Sequence, residues 1–307
     1  MATYNNPPYK RAGRTSLHRQ TVAMRPHLRR GGVRPRMGLL KFKKVDEPLS
    51  DTERGMLDHE LAIAEEIQAN LLPKRIPQLT GYELGAYYKP SRDVGGDYYD
   101  FIEIDSDRLG LLVADVSGKG IPGSMVMTEA RALIRSEATR TDSPAETFIR
   151  VNRILHNDIK RGMFVTAFYA ILDTKKDTLC LTSAGHNPMV LWRKASNTCH
   201  LVNPSGLALG IDKGPIFERS IKEQKLQMYK CDRFVIYTDG VTEAMNEKDE
   251  PLGQNRFYMK VKEFAEKGSN EFISLMVKVV EEHQGKAEQH DDITIVTCRA
   301  KPQGGEE

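Results

Sequence analysis

Leu109-Gly110-Leu111-Leu112-Val113-Ala114-Asp115-Val116-Ser117-Gly118-Lys119-Gly120 is an apolar run that ends on a carboxylate. The apolar part is long enough for a buried strand, and a buried strand rarely ends on an unpaired charge. Asp115 therefore needs a partner. Phe234-Val-Ile-Tyr-Thr-Asp239-Gly240 repeats the design, with a glycine that lets the backbone turn sharply and approach closely. Asp291-Asp292 inverts it, leading into Ile293-Thr-Ile-Val-Thr-Cys298, and Gly95-Gly96-Asp97-Tyr98-Tyr99-Asp100 sets two permissive residues before an acid. Any one of these acids also reads as a turn residue or a helix cap, Asp239 for instance capping a short helix around Val241–Met245. Four in one chain favour a shared site. Carboxylates that meet at one point repel each other unless a cation sits between them. The economical reading is a site for hard divalent ions, with oxygen ligands far apart in sequence.

Around these acids the chain reads as successive strands joined by short turns, with helices arriving in pairs. Strands are expected over Tyr82–Lys89, Tyr98–Ile104, Leu109–Asp115, Val165–Leu172, Thr178–Ser183, Met189–Arg193, Lys225–Tyr229, Arg233–Thr238 and Ile293–Arg299. Helices are expected over 122–139, from the Ser143 cap and Pro144 onward, and over Arg256–Glu266 and Asn270–Gln284. No strand–helix alternation recurs, so the sheets are antiparallel and the class is layered α+β.

Upstream, Ser50-Asp51-Thr52-Glu53 has capping-box spacing and opens an amphipathic helix over 50–73 that Pro73 stops. Leu57, Leu61, Ala64, Gln68 and Leu71, widened by Ile63 and Ile67, form its stripe. The stripe suits core packing, or a seam that pairs two copies into a homodimer or docks a regulatory partner. Residues 1–48 read as a disordered basic tail and 302–307 as a second disordered tail, leaving 80–301 as the main domain. Residues 1–45 hold 12 Lys/Arg and no Asp or Glu, so the remaining chain, with 33 basic and 42 acidic residues, is acidic. The tail lacks the aromatic interleaving of nucleic-acid binders. No apolar stretch reaches the roughly 18 residues of a membrane span. The four cysteines (Cys180, Cys199, Cys231 and Cys298) show no paired spacing. A chain of this size has little need of disulfides, so a reducing, cytoplasmic setting is expected.

Residues 53–300 resemble the metal-dependent serine/threonine phosphatases (PPM, protein phosphatase 2C-like), and more narrowly their bacterial RsbU/SpoIIE subgroup. Ile67-Gln68-x-x-Leu71-Leu72-Pro73, Val94-Gly-Gly-Asp-Tyr-Tyr-Asp100, Asp115-Val-Ser-Gly-Lys-Gly120, Ala184-Gly-His-Asn-Pro188, Tyr237-Thr-Asp-Gly-Val-Thr-Glu243 and Asp291-Asp-Ile-Thr294 carry the resemblance. It implies a four-layer α-β-β-α sandwich of two antiparallel sheets flanked by helices. It also implies two Mn²⁺ or Mg²⁺ ions held by Asp97, Asp115, the Val116 carbonyl, Asp239 and Asp291, with Gly96, Asp100, Asp292 and His186 in support. The implied activity is hydrolysis of phosphoserine or phosphothreonine by metal-activated water. The implied substrate is a phosphorylated STAS-type anti-sigma-factor antagonist in a partner-switching pathway, under an upstream regulatory protein. Ser117 stands where eukaryotic relatives place a general-acid His, so the proton donor is unassigned. His186 reads as a turn histidine holding backbone geometry, and Lys119 as a solvated charge.

The rival from another class is a catalytically inactive interaction module of the same fold. An intact set of costly clustered acids argues against it. Gly95-Gly96-Asp97 also begins the Gly-Gly-Asp-Glu-Phe signature of nucleotide cyclases, but Tyr98-Tyr99 follow here, and Asp115, Asp239 and Asp291 have no role in that fold.

Overall fold

The computed structural model of the protein describes residues 50–302, and the tails expected over 1–48 and beyond Pro302 lie outside the described residues. Ser50 caps helix α1 (Asp51–Leu71) with both halves of the capping box formed: Ser50 Oγ accepts from the Glu53 N–H, and Glu53 accepts from the Ser50 N–H at 2.9 Å. Strands β1 (Tyr82–Lys89), β2 (Tyr98–Glu103) and β3 (Arg108–Val116) follow, then helices α2 (Ile121–Ala138) and α3 (Pro144–Asp158). Next come β4 (Val165–Asp173), β5 (Thr178–Ala184), β6 (Met189–Arg193), β7 (Thr198–Val202), the short α4 (Pro215–Ser220), β8 (Glu223–Gln227) and β9 (Arg233–Tyr237). The one-turn α5 (Asp239–Thr242), α6 (Gln254–Phe264), α7 (Ser269–Gln284) and β10 (Ile293–Ala300) complete the order.

All strand pairs are antiparallel, in two five-stranded sheets ordered β1-β10-β9-β6-β7 and β2-β3-β4-β5-β8. Side chains alternate between the faces of a strand, so each sheet buries two sets of residues. Leu109, Leu111, Val113, Phe168, Phe234, Ile236 and Val296 fill the space between the sheets. Leu112, Ala114, Tyr169 and Ile171 pack outward on α2 and α3, through Met127, Ile134, Phe148 and Val151. Val235, Tyr237 and Ile295 pack outward on α6 and α7, through Phe257, Phe272 and Met276. Three apolar slabs thus separate four layers, the α-β-β-α sandwich expected of the resemblance.

Two elements escaped the sequence. In β7 only Val202 is buried, so no apolar alternation marked this edge strand, and α4 is too short to show a period. Strand β8 starts two residues before the expected Lys225, because its residues are mostly exposed and polar. The stripe on α1 is only partly covered among the described residues: Gln68 is buried and Leu61, Ala64 and Leu71 are half-buried, while Leu57, Ile63 and Ile67 are 40%, 45% and 58% exposed. The four cysteines are free, and among the described residues no helix is long and apolar enough to cross a membrane.

Candidate metal centre

The alternation that builds the sandwich also aims the acids. On β3 the residues facing the other sheet are Leu109, Leu111 and Val113, and the next in phase is Asp115. On β2 they are Tyr99 and Phe101, which puts Asp97 on the same inner face and Asp100 on the outer one. On β9 and β10 the inner residues are Phe234, Ile236, Val296 and Cys298, so Thr238 and Thr294 point inward at the same end. Asp239 opens α5 directly after β9, and Thr238 rather than Asp239 is the cap residue of that helix. Gly240 is required there: an added Cβ would sit 2.0 Å from the Asp292 carbonyl oxygen, so only glycine lets the two acidic turns close on each other.

Asp97 is 2% exposed and, among the described residues, its side chain accepts from two hydroxyls, Thr238 Oγ1 at 2.7 Å and Thr294 Oγ1 at 2.5 Å, both to Oδ2. Burial and the Asp115 charge hold its carboxyl well above the usual range, against the pull of the Thr294 and Thr238 hydrogen bonds. Burial, followed by the charges of Asp239, Asp291 and Asp292, pushes Asp115 up to about 8. Burial, followed by Glu243 and Asp291, raises Asp239. Asp115 and Asp239 line one cleft of about 190 Å³ with Ser117, Phe164, Thr166, Gly185, His186 and Asn187. A larger cavity of about 760 Å³ lies at the other end of β1 and β10 and contains none of these acids.

The supporting residues divide. Asp292 is a loop anchor: Oδ1 accepts from the Ser91 N–H at 2.7 Å and hydroxyl at 2.9 Å, and Oδ2 from the N–H groups of Gly96 at 2.7 Å and Asp97 at 3.3 Å. Gly96 lies against the turn after β3, where an added Cβ would come within 3.1 Å of the Val116 carbonyl oxygen. His186 is a buried turn residue, as read from the sequence. Its N–H donates to Ser183 Oγ at 3.1 Å, its Nδ1 pairs with Thr166 Oγ1 at 2.9 Å, and burial lowers its imidazole to about 4. Asp100 is the exception, as it faces α2 and is bonded to Arg135, to the Tyr98 hydroxyl and to the Phe101 N–H. The odd spacing from Asp97 on an alternating strand is what sends it to the other side.

Four partners were not legible as such. Thr238 and Thr294 orient Asp97, and Ser91 holds Asp292. Gln68 reaches from α1 to clamp Gly95, donating to its carbonyl at 2.7 Å and accepting its N–H at 2.9 Å. An inward-phased Thr beside an acid was the available signal for the first two. The Ser91 and Gln68 contacts leave no local pattern.

Among the described residues, no three His, Cys, Asp or Glu side chains stand close enough together to hold an ion as they are. The donor set still fits a hard cation: all the donors are oxygens, and Asp97, Asp115 and Asp239 raise or share one another's charge penalty.

A family model described as Stage II sporulation protein E (SpoIIE) matches residues 105–301, beginning just after the Asp97 motif. The phosphoserine phosphatase RsbU of Bacillus subtilis (strain 168) is 29% identical over 247 residues, covering 79% of this chain and 70% of that protein. The phosphoserine phosphatase RsbP of the same organism is 30% identical over 186 residues, covering 59% of this chain and 45% of that protein. Among solved structures, the SiaA-PP2C domain of Pseudomonas aeruginosa superposes with a TM-score of 0.70 at 22% identity, over 80% of this chain and 98% of that one. The PP2C phosphatase domain of Bacillus subtilis SpoIIE superposes with a TM-score of 0.61 at 19% identity, over 73% of this chain and 64% of that one. With the sandwich and the order of its motifs, the family match over most of the chain places the protein in the SpoIIE family, with the fold of the PP2C phosphatase domains it superposes on.

Proposed function

We propose that the protein is a metal-dependent protein serine/threonine phosphatase acting on a phosphorylated STAS-type anti-sigma-factor antagonist. One observation carries the reading: Asp97, Asp115 and Asp239 are drawn to one end of the sandwich with no cationic side chain in an ion pair with any of them among the described residues. Such a group is costly to keep unless a cation is its purpose. The similarity to the phosphoserine phosphatases RsbU and RsbP supports the substrate class.

Asp97, Asp115, the Val116 carbonyl, Asp239 and Asp291 would hold two Mn²⁺ or Mg²⁺ ions. Bound there, the ions would supply an activated water and positive charge to offset that of the phosphoryl group. The chain's own part is positional. Thr238 and Thr294 aim one oxygen of Asp97, and Asp292 pins the Gly96-Asp97 backbone that presents it. Ser117 Oγ accepts the Phe164 N–H at 2.7 Å, which leaves its own proton to donate toward the cleft it lines. Burial keeps His186 neutral and Thr166 engages its Nδ1, so this imidazole is not charged to act as an acid, while its Nε2 is buried without a hydrogen-bond partner among the described residues.

The α1 helix is the regulatory element in this reading. It ends beside the site, with Gln68 on Gly95 and Leu71 accepting from Arg131 of α2, while most of its apolar face is uncovered. A second copy or an upstream regulator on that face would act through Gln68. The test of the activity is release of phosphate from phosphorylated STAS proteins with and without Mn²⁺. Release that persists without divalent metal, or in both Asp115→Asn and Asp239→Asn, refutes the proposal. Activity unchanged by deleting residues 1–72 from a folded protein refutes the role of α1.

A further inference from the structure

Lys119 follows Asp115 in the turn before α2, where the sequence suggests a solvated charge. The structure ties it down instead. Its Nζ lies 2.9 Å from Asp291 Oδ2 and donates to the His290 carbonyl at 2.6 Å, 171 residues away. The other oxygen of Asp291 accepts the Asp292 N–H at 2.9 Å. Among the described residues, Asp291 is the one acid of the proposed ligand set that has an ion-pair partner. An ammonium and a divalent ion on the same carboxylate oxygen would be like charges a few ångströms apart, and they would repel.

We infer that Lys119 is an intramolecular competitor for divalent metal at Asp291, and that an ion takes that oxygen only as the ammonium leaves it. The inference rests on the metal-site reading above and adds a control on how tightly the site fills. Two features make the exchange workable. The pair is open to solvent on both sides, at 43% for Lys119 and 35% for Asp291, so the bond is weak enough to break. Lysine is also a flexible point charge, able to swing into water without disturbing the turn that carries it. The consequence is a site with a graded affinity: Asp97, Asp115 and Asp239 are not covered in this way, so their oxygens are available first.

The test is a double-mutant cycle on the full chain. Wild type, Lys119→Met, Asp291→Asn and the double variant are treated with chelator and checked for equal melting behaviour. They are then titrated with Mn²⁺, with free Mn²⁺ counted by electron paramagnetic resonance. Lys119→Met is expected to tighten the weaker Mn²⁺ site by about two- to fivefold, the range of a partly exposed ion pair. The same substitution in the Asp291→Asn background is expected to have a clearly smaller effect, that of the Lys119 charge on Asp115 and Asp239 alone. Unchanged or weaker binding in Lys119→Met overturns the inference, and so does equal tightening in the Asp291→Asn background, which would be a general charge effect. Lys119→Gln repeats the measurement if Met perturbs the turn. Failure of the wild type to bind Mn²⁺ at all refutes the metal-site reading itself and the inference with it. Binding by the wild type with no effect of Lys119 refutes the inference alone.

Discussion

Asp97 and Asp100 stand three residues apart in one motif and are buried almost equally, at 2% and 1% exposed, yet they live in opposite electrostatic worlds. Asp100 faces the helix layer, where Arg135 Nη1 lies 2.6 Å from one of its oxygens and 2.8 Å from the other. Asp97 faces the gap between the sheets, where it meets two hydroxyls and further acids. The fold can therefore neutralise a buried carboxylate when it needs only stability. Asp97, Asp115 and Asp239 have no ion-pair partner among the described residues, and the Lys119 charge offsets only part of the burial of Asp115 and Asp239, which leaves room for a cation from outside.

The largest expected effect falls on the uncompensated side. Asp115→Asn or Asp239→Asn should lower Mn²⁺-dependent phosphate release by at least about 100-fold. The same Asp115→Asn change should raise the melting temperature of chelator-treated protein at pH 8, because it removes a charge that burial opposes. Loss of activity accompanied by a lower melting temperature would break the contrast. On the compensated side, Asp100→Asn should cost about 1–3 kcal/mol in denaturant unfolding, since Arg135 and the Tyr98 hydroxyl lose a charged acceptor. Mn²⁺ affinity should stay within about twofold in that variant, because Asp100 faces away from the site.

How far these two sides were legible in the sequence follows from the range of the signals. Strand ends and glycine turns are local, so the acidic motifs could be found from the chain alone, and the resemblance then singled out Asp97, Asp115, Asp239 and Asp291 from Asp100 and Asp292. The four-layer order came from the resemblance and is upheld by three separate apolar slabs. The face of Asp100 was readable in principle, because alternation from Asp97 decides it, but the motif as a unit suggested a common role. The Gln68 clamp on Gly95 and the Lys119 contact with Asp291 join residues 27 and 172 positions apart, and no local period encodes either. Nor could the sequence show that Leu57, Ile63 and Ile67 of the α1 stripe would stand exposed among the described residues.

A pH titration tests the same contrast more gently. A carboxyl whose folded pKa is raised contributes stability that is complete below its ordinary value near 4 and is lost as pH rises through the folded value. For Asp115 that window runs up to about 8, with Asp97 and Asp239 shifted in the same direction. Chelator-treated protein should therefore melt at progressively lower temperature from pH 5 to pH 8, and saturating Mn²⁺ should flatten the slope. A chelated protein whose melting temperature climbs over that range would contradict the charge arrangement. The smallest effect is expected at the clamp: Gln68→Ala should weaken Mn²⁺ binding by about threefold, since two hydrogen bonds to Gly95 position the Asp97 loop from outside the sheets. An unchanged affinity would confine Gln68 to holding α1 in place.

The pairing of β1 with β10 has a consequence for the timing of synthesis. Thr294, the hydroxyl that holds Asp97, stands 197 residues beyond it on the final strand of the sandwich. A ribosome exposes Asp97 and Asp115 long before Thr294, Asp291 and Asp292 exist to complete their surroundings. Until β10 inserts between β1 and β9, the nascent chain offers an open sheet edge and a half-built acidic end. Activity should therefore switch on in one step, after translation has passed the last strand.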